Sequence, residues 1–253
     1  DLEGMEYHSE GLKHAVIVGG GLIGIEMAEM FHSRHIPVTF LVREKSYWNM
    51  VLAPEESEMV NRVINKNGIN LRLSTELKEI LPDENGKCRA IITNEGDEIP
   101  CQFVGLTAGV HPNIAFIKET EIETQKGIVV DEQLETSVKD IYAIGDCAQL
   151  RNPPPGRRPI EAVWYVGRMM GETAAYNICG KPVDYQPGIW FNSAKFFDIE
   201  YQVYGTVLAN PPAEHQSLYW EHADGEKSIR IVWDDLSGMV IGFQTMGIRY
   251  RDE

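Results

Sequence analysis

The amino-acid sequence predicts an α/β protein with a doubly wound parallel sheet, an antiparallel meander beside it and a small α+β C-terminal domain. Three observations lead to this fold class. Over residues 15–73, short apolar runs alternate with helical patterns, as in a parallel sheet whose strands are joined by helices. Two turn signals, Asn85-Gly86 and Asn94-Glu-Gly96, separate three further strand-like segments. From Tyr185 onward, aromatic strand patterns follow one another and predict a separate antiparallel module.

Composition narrows the class of protein. The chain has 253 residues, of which 43% are hydrophobic, which is enough to bury the cores of two or three domains. Its 38 acidic residues against 23 basic ones give a net charge of −15, which argues against nucleic acid or an anionic membrane surface as a partner. No apolar run approaches the length of a membrane span. The four cysteines are widely spaced without a CxxC motif, so we predict no metal site, no redox pair and a cytoplasmic location.

A glycine-rich turn near the start of the chain organises the first domain. Ala15–Val18 has the pattern of a buried strand, Leu22–Arg34 that of a helix, and Val38–Val42 that of a second strand. Between the first strand and the helix stands the motif Gly19-x-Gly21-x-x-Gly24. A lone GxGxxG also occurs in ordinary strand–helix turns, but here all three elements lie where a dinucleotide-binding βαβ unit needs them.

Each glycine of this motif has a separate predicted role. Gly19 allows the tight turn, Gly21 lets a pyrophosphate approach the backbone, and Gly24 lets the helix pack closely on the strand. The helix then offers unpaired N–H groups and its positive dipole end to the phosphates. The choice between NAD and NADP stays open, because Arg43 suits a 2′-phosphate whereas the neighbouring Glu44 would repel one.

The remaining elements complete a nucleotide-binding domain and a second, partial one. We predict a helix from Pro54 to the Asn67-Gly68 stop, and a long helix over Glu161–Cys179 in which Gly167 and Gly171 allow close packing. The predicted strands before the long helix are 71–73, 75–81, 88–93, 98–106 and 141–144. The last of these ends in Gly145-Asp146, where a carboxylate can accept a hydrogen bond from a ribose or ribitol hydroxyl.

Taken together, three motifs resemble those of the pyridine nucleotide–disulfide oxidoreductase superfamily, in the branch of NADH oxidases, rubredoxin and ferredoxin reductases and nitrite reductase flavodomains. Val18–Glu26 is similar to the family's NAD(P)H fingerprint, Thr107–Asn113 to its connecting segment, and Thr136–Ala148 to its second flavin motif. The resemblance covers essentially the whole chain. It implies a Rossmann-type NAD(P)H-binding domain over 12–113 after a linker at 1–11, the second half of a split FAD-binding domain over 114–183, and an antiparallel C-terminal domain over 184–253.

The resemblance also implies the cofactors and the residues that bind them. Glu26 corresponds to the family's glutamate beside the nicotinamide, Asp146 to its aspartate on the FAD ribitol, and Glu161–Trp164 to the helix start that faces the isoalloxazine. The predicted residues for NAD(P)H are Gly19, Gly20, Gly21, Leu22, Ile23, Gly24, Glu26, Arg43, Glu44, Ala108 and Gly109. Those for FAD are Gly145, Asp146, Glu161, Ala162, Val163 and Trp164.

The implied function is an FAD-dependent NAD(P)H oxidoreductase that passes electrons to a second acceptor, such as a small redox protein. No catalytic side chain is predicted, and whether the chain forms a homo-oligomer stays open. The family's first FAD-binding half, with its own GxGxxG, has no counterpart in this sequence, so we expect a fragment that is inactive in isolation. Two alternatives remain: a flavin-free NAD(P)-dependent dehydrogenase, although no Tyr-x-x-x-Lys occurs, and a non-catalytic NAD(H)-binding module.

Overall fold

The computed structural model describes residues 2–248, which form two compact units. The first unit contains the described residues up to Gly109 together with those from Phe191 onward, and the second contains Val110–Trp190. The C-terminal strands, which the sequence predicts as a domain of their own, thus belong to the same unit as the glycine-rich turn. The first eleven residues, expected as a linker, contain a short helix.

Helices and strands alternate in the N-terminal part of the chain, and strands predominate toward the C-terminus. The α-helices are α1 (Leu2–Ser9), α2 (Leu22–Ser33), α3 (Pro54–Lys66) and α4 (Trp164–Ile178). The strands up to the second unit are β1 (Ala15–Val18), β2 (Val38–Val42), β3 (Asn70–Leu73), β4 (Leu77–Pro82), β5 (Cys88–Thr93), β6 (Glu98–Pro100) and β7 (Phe103–Leu106). The later strands are β8 (Ile128–Val130), β9 (Ala148–Leu150), β10 (Phe191–Phe196), β11 (Ile199–Gly205), β12 (His215–Glu221), β13 (Ser228–Asp234) and β14 (Val240–Met246). Two 3₁₀ helices are η1 (Ala115–Ile117) and η2 (Gly145–Cys147).

A four-stranded parallel sheet carries the predicted βαβ unit. Its strand order is β3-β2-β1-β7, and every neighbouring pair is parallel. All five residues of β2 are buried, as expected for a parallel strand covered on both faces. The doubly wound α/β class predicted from the sequence is confirmed, and the bounds of β1 and β2 agree with the prediction.

The predicted strand 98–106 is wrong in one respect, because it is two strands in different sheets. β6 pairs antiparallel with β5, whereas β7 pairs parallel with β1. Pro100 has no N–H to continue a ladder. The next two N–H groups have partners in different sheets. That of Cys101 still donates to the carbonyl of Arg89 on β5 at 3.1 Å, whereas that of Gln102 donates to the carbonyl of His14, just before β1, at 3.1 Å. The chain therefore crosses here from the antiparallel sheet to the parallel one.

The predicted strand 141–144 is absent from the described structure. Asp140 and Gly145 have φ angles of +62° and +76°, which interrupt an extended chain at both ends of the apolar run. Ile141 and Ile144 are each 41% exposed. The strand of this region is instead β9, which lies beyond η2 and pairs parallel with β8.

The C-terminal strands form a five-stranded antiparallel sheet of order β10-β11-β14-β13-β12. One face packs on the first domain, since Phe196 and Tyr201 share a buried apolar cluster with Tyr47. None of the helices in the part of the chain that the structure describes is long and apolar enough to cross a membrane.

Candidate functional site

The turn between β1 and α2 is held by contacts that only glycine allows. Gly19 has a φ of +124°, and a Cβ added there would lie 2.4 Å from the carbonyl oxygen of Thr107. A Cβ on Gly24 would lie 2.2 Å from the carbonyl oxygen of Gly19 and 3.1 Å from Phe40. These distances are far below van der Waals contact, so the helix can approach the sheet this closely only without side chains at both positions. Both predicted packing roles are therefore visible in the backbone.

Gly21 differs from the other two, because nothing lies within 4 Å of where its Cβ would be. Its extended backbone, with φ −107° and ψ −177°, is one that any residue can adopt. Packing therefore does not require glycine here. The open space lies at the N-terminus of α2, whose first N–H groups have no side-chain cap. A free helix N-terminus beside an open glycine is suited to an anion such as a pyrophosphate.

Two side chains that sequence reasoning missed brace this turn. The Tyr47 hydroxyl donates to the carbonyl oxygen of Gly21 at 3.1 Å, and its ring is fully buried. Burial raises the pKa of Tyr47 well above its usual value, and the charges of Glu26 and Glu29 raise it further, so the hydroxyl keeps its proton. Thr107, just after β7, donates its hydroxyl to the carbonyl oxygen of Val18 at 2.9 Å. Tyr47 carries no signal in the sequence, whereas Thr107 stands in the connecting motif.

The other residues predicted for the dinucleotide lie on the surface around this turn. Ile23 is 49% exposed, and Glu26 is exposed one turn further along α2. Ala108 and Gly109 are exposed beyond the end of β7, the parallel neighbour of β1. Gly20 stands apart, because a Cβ there would lie 2.8 Å from Val42. It therefore packs against β2 as well as contributing to the turn.

Arg43 and Glu44, at the end of β2, are paired with each other. The Arg43 guanidinium donates to one Glu44 carboxylate oxygen from Nε at 3.2 Å and from Nη2 at 2.9 Å. The hydrogen bond that Arg43 donates to Glu44, together with the charge of Glu44, raises the pKa of Arg43. The Arg43 side chain is 72% exposed, so solvent screens the pair. Arg43 can therefore turn toward a 2′-phosphate, while Glu44 remains able to accept from ribose hydroxyls.

The second unit contains the segment predicted to meet the flavin. Asp146 is exposed on η2, next to Gly145 at positive φ. Helix α4 packs against this short helix, and a Cβ on Gly167 would lie 3.4 Å from the Gly145 Cα. The glycine at 167 therefore lets the helix approach the turn that presents the Asp146 carboxylate.

Helix α4 begins later than predicted, at Trp164 rather than Glu161. Glu161 is buried and holds Arg157 through two hydrogen bonds of 2.8 and 2.5 Å. The carbonyl oxygen of Glu161 accepts from the N–H of Val163 at 2.9 Å, which turns the chain before the helix. Ala162 is exposed, and Trp164 is 75% exposed at the first helical position. The Glu161 carboxylate is thus committed to an internal ion pair, and no side chain caps the helix start.

No group of three or more His, Cys, Asp or Glu side chains in residues 2–248 is arranged to hold a metal ion. The two regions instead offer backbone N–H groups at helix starts, single carboxylates and exposed apolar side chains. These suit an organic cofactor with phosphates, hydroxyls and flat rings rather than a metal.

Comparison with known proteins agrees with this geometry. The curated relatives include the NAD(P)H coenzyme A polysulfide/persulfide reductase of Pyrococcus horikoshii, 33% identical over 192 residues, which are 75% of this chain and 42% of the relative. They also include the rubredoxin-NAD(+) reductase of Ectopseudomonas oleovorans, 30% identical over 177 residues, which are 69% of this chain and 46% of the relative. The chain thus spans about half the length of these relatives.

Solved structures share the fold across nearly the whole chain. A ferredoxin reductase from Rhodopseudomonas palustris superposes with a TM-score of 0.84 at 23% identity, covering 97% of this chain and 59% of that one. An NAD-dependent persulfide reductase from A. fulgidus gives a TM-score of 0.84 at 23% identity, covering 98% of this chain and 48% of that one. At such identity the likeness shows the fold alone.

A match to a sequence profile establishes the family to which this chain belongs. The profile described as Pyridine nucleotide-disulphide oxidoreductase covers residues 1–171, which include both the glycine-rich turn and the flavin segment. Reductases of this family depend on FAD and NAD(P)H. With its βαβ turn, its uncapped helix starts and this match, the chain belongs to the pyridine nucleotide-disulphide oxidoreductase family.

Proposed function

We propose that this chain is the NAD(P)H-binding and C-terminal portion of an FAD-dependent NAD(P)H oxidoreductase. The observation that carries the proposal is the contrast within the glycine motif. Gly19 and Gly24 are required by packing, whereas the space beside Gly21 is open at an uncapped helix start. Packing gives no reason for glycine at residue 21, whereas a pyrophosphate at the open helix start would need the space that a side chain there would fill.

The residues of the first unit then have definite tasks. The N–H groups that begin α2 donate to the dinucleotide phosphates, and the helix dipole favours their negative charge. The carboxylate of Glu44 accepts from the ribose hydroxyls of NADH, and the Arg43 guanidinium offers a partner for the 2′-phosphate of NADPH. Ala108 and Gly109, being small and exposed, leave room for a flat ring beyond the end of β7.

The residues of the second unit suit part of an FAD site. Asp146 accepts from a ribitol hydroxyl, and the uncapped start of α4 at Val163 and Trp164 stabilises negative charge on a reduced flavin. When bound, the two cofactors would supply the hydride-transfer and electron-transfer chemistry. The protein's share is to hold and orient the cofactors. The electron acceptor is a small redox protein or a small molecule.

Four free thiols suit a reducing compartment such as the cytoplasm. The cytoplasm is therefore the location that we propose for this chain.

Calorimetric titration with NADH tests the dinucleotide site. Gly21→Val should abolish measurable binding, because its side chain fills the space for the pyrophosphate, while the thermal unfolding temperature stays close to that of the wild type. Gly4→Val is the matched control, since Gly4 also has nothing within 4 Å of its Cβ position and lies on α1. Unchanged NADH affinity in Gly21→Val would contradict the assignment.

The oxidoreductase part of the proposal needs a separate measurement. Because the isolated chain is expected to be inactive, it is joined for this test to the part of the Ectopseudomonas oleovorans rubredoxin-NAD(+) reductase that it does not span. With FAD under anaerobic conditions, this fusion should accelerate the loss of flavin absorbance after NADH is added, relative to free FAD and NADH, and Gly21→Val should remove the acceleration. A fusion that binds NADH and FAD but never accelerates flavin reduction would favour a non-catalytic NAD(H)-binding module.

A further inference from the structure

Two cysteines that are far apart in the sequence come together in the antiparallel meander. Cys88 begins β5, and Cys101 follows directly after β6, which pairs antiparallel with β5. Their sulfur atoms lie 3.7 Å apart. The sequence predicts no redox pair because thirteen positions separate the two residues without a CxxC motif. The hairpin that turns at Asn94-Glu-Gly96 brings the two cysteines together in space.

The two thiols differ in access to solvent. Cys101 is fully buried in an apolar cluster with Val16, Leu41 and Ile91, where the meander covers the parallel sheet. Cys88 lies at the rim of this cluster and is partly exposed. Burial, together with the neighbouring Cys88, raises the pKa of the Cys101 thiol to about 12. A small oxidant can therefore reach Cys88 directly and Cys101 only through Cys88.

We propose that Cys88 and Cys101 are a redox-active pair that closes to an intramolecular disulfide when Cys88 meets hydrogen peroxide. The Cys88 sulfur attacks one peroxide oxygen and the O–O bond breaks, which leaves a sulfenic acid on Cys88, while the other oxygen leaves as water with the Cys88 thiol proton. The Cys101 sulfur then attacks the Cys88 sulfur, the S–O bond breaks and a second water leaves with the Cys101 proton. The two thiols lose two electrons in total, and the peroxide gains them.

The geometry favours closure over further oxidation. To form the disulfide, the two sulfurs must approach from 3.7 Å to about 2.05 Å by rotation of the two side chains. Cys101 is the thiol nearest to a sulfenic acid on Cys88. The resulting bond would lock the point where the chain crosses from the antiparallel sheet to the parallel one.

Peptide mapping of the full 253-residue chain tests this inference. After treatment with equimolar hydrogen peroxide and alkylation under denaturing conditions, we expect a linked Cys88–Cys101 peptide two hydrogens lighter than its parts. Dithiothreitol should return both thiols. Alkylation of both cysteines after treatment, or a disulfide that joins either one to Cys147 or Cys179, would overturn the proposal.

Matched variants locate the chemistry on the pair. Cys147→Ser should still form the linked peptide, because Cys147 lies in the second unit. Cys88→Ser should leave Cys101 reduced under the same treatment, since its sulfur is buried. Oxidation of Cys101 in that variant would contradict the order of the two steps. These measurements read sulfur chemistry alone, so their outcome does not depend on whether the chain binds NAD(P)H.

Discussion

A buried ion pair joins the C-terminal sheet to the nucleotide-binding part of the first unit. Arg230 on β13 donates to the Glu56 carboxylate from Nε at 2.7 Å and from Nη2 at 3.0 Å. Its Nη2 also donates to Glu55 at 2.7 Å. The Glu56 side chain is completely buried at the start of α3, and that of Arg230 is 9% exposed. Removing the arginine would therefore leave a carboxylate in the interior.

We predict that Arg230→Met lowers the free energy of unfolding of the first unit by about 3–5 kcal/mol, the usual penalty for an uncompensated buried charge. Methionine keeps much of the apolar volume of the arginine stem, so the loss reports the charge rather than a cavity. Arg62→Met is the matched control. Arg62 joins the same helix to Glu221 on β12 at 2.6 Å, but the two side chains are 44% and 28% exposed. An exposed pair of this kind contributes about 0–1 kcal/mol.

Hydrogen exchange in increasing urea at neutral pH measures these free energies by region. Peptides from β13 report on the first unit, and peptides from α4 in the second unit provide an internal reference. Combining Glu56→Leu with Arg230→Met should recover stability, because the buried charge is then gone. The reasoning is refuted if Arg230→Met costs no more than Arg62→Met, or if the double variant is less stable than Arg230→Met alone.

Three further predictions follow from the two cofactor regions. Gly24→Ala places a Cβ 2.2 Å from the Gly19 carbonyl oxygen and should destabilise the first unit by about 1–3 kcal/mol through overpacking; an unchanged thermal unfolding temperature would contradict this. Arg43→Ala should weaken NADPH binding more than NADH binding in calorimetry, and equal losses would show that Arg43 is only solvated. The chain alone should release FAD on gel filtration, because a hydrogen bond from the flavin to the charged Asp146 contributes only about 1.5–3 kcal/mol against about 12 kcal/mol for nanomolar binding. Stoichiometric flavin absorbance after the column would refute that estimate.

The sequence alone was sufficient to predict the first βαβ unit and its glycine-rich turn. Strand β1, helix α2 and strand β2 are short, strongly patterned and contiguous, so local periodicity and the glycine spacing predict them together. The separate roles of Gly19 and Gly24 also follow, since each reflects a tight approach between neighbouring elements. The family resemblance rests on the same local motifs, and the matching profile confirms it.

Tertiary structure decided what depends on partners distant in the chain. The apolar run 98–106 is continuous in the sequence, yet two different sheets compete for its hydrogen bonds and divide it after Pro100. The run 141–144 has strand composition, but it makes only an isolated antiparallel bridge between Tyr142 and Glu135, and β9 pairs with β8 instead. A strand forms where a second strand supplies its hydrogen bonds, and a single sequence does not state which segment that is.

Side-chain pairs, like strand pairs, depend on segments that are distant in the chain. Arg230 and Glu56 are 174 positions apart, and Cys88 and Cys101 meet only because a hairpin folds between them. Glu161 has the position of a flavin contact in the family motif, but Arg157 takes its carboxylate into the interior. Residue types and spacing therefore predict which chemistry the chain can perform, whereas the folded packing decides which side chains remain free for it, because burial and pairing depend on contacts between segments remote in sequence.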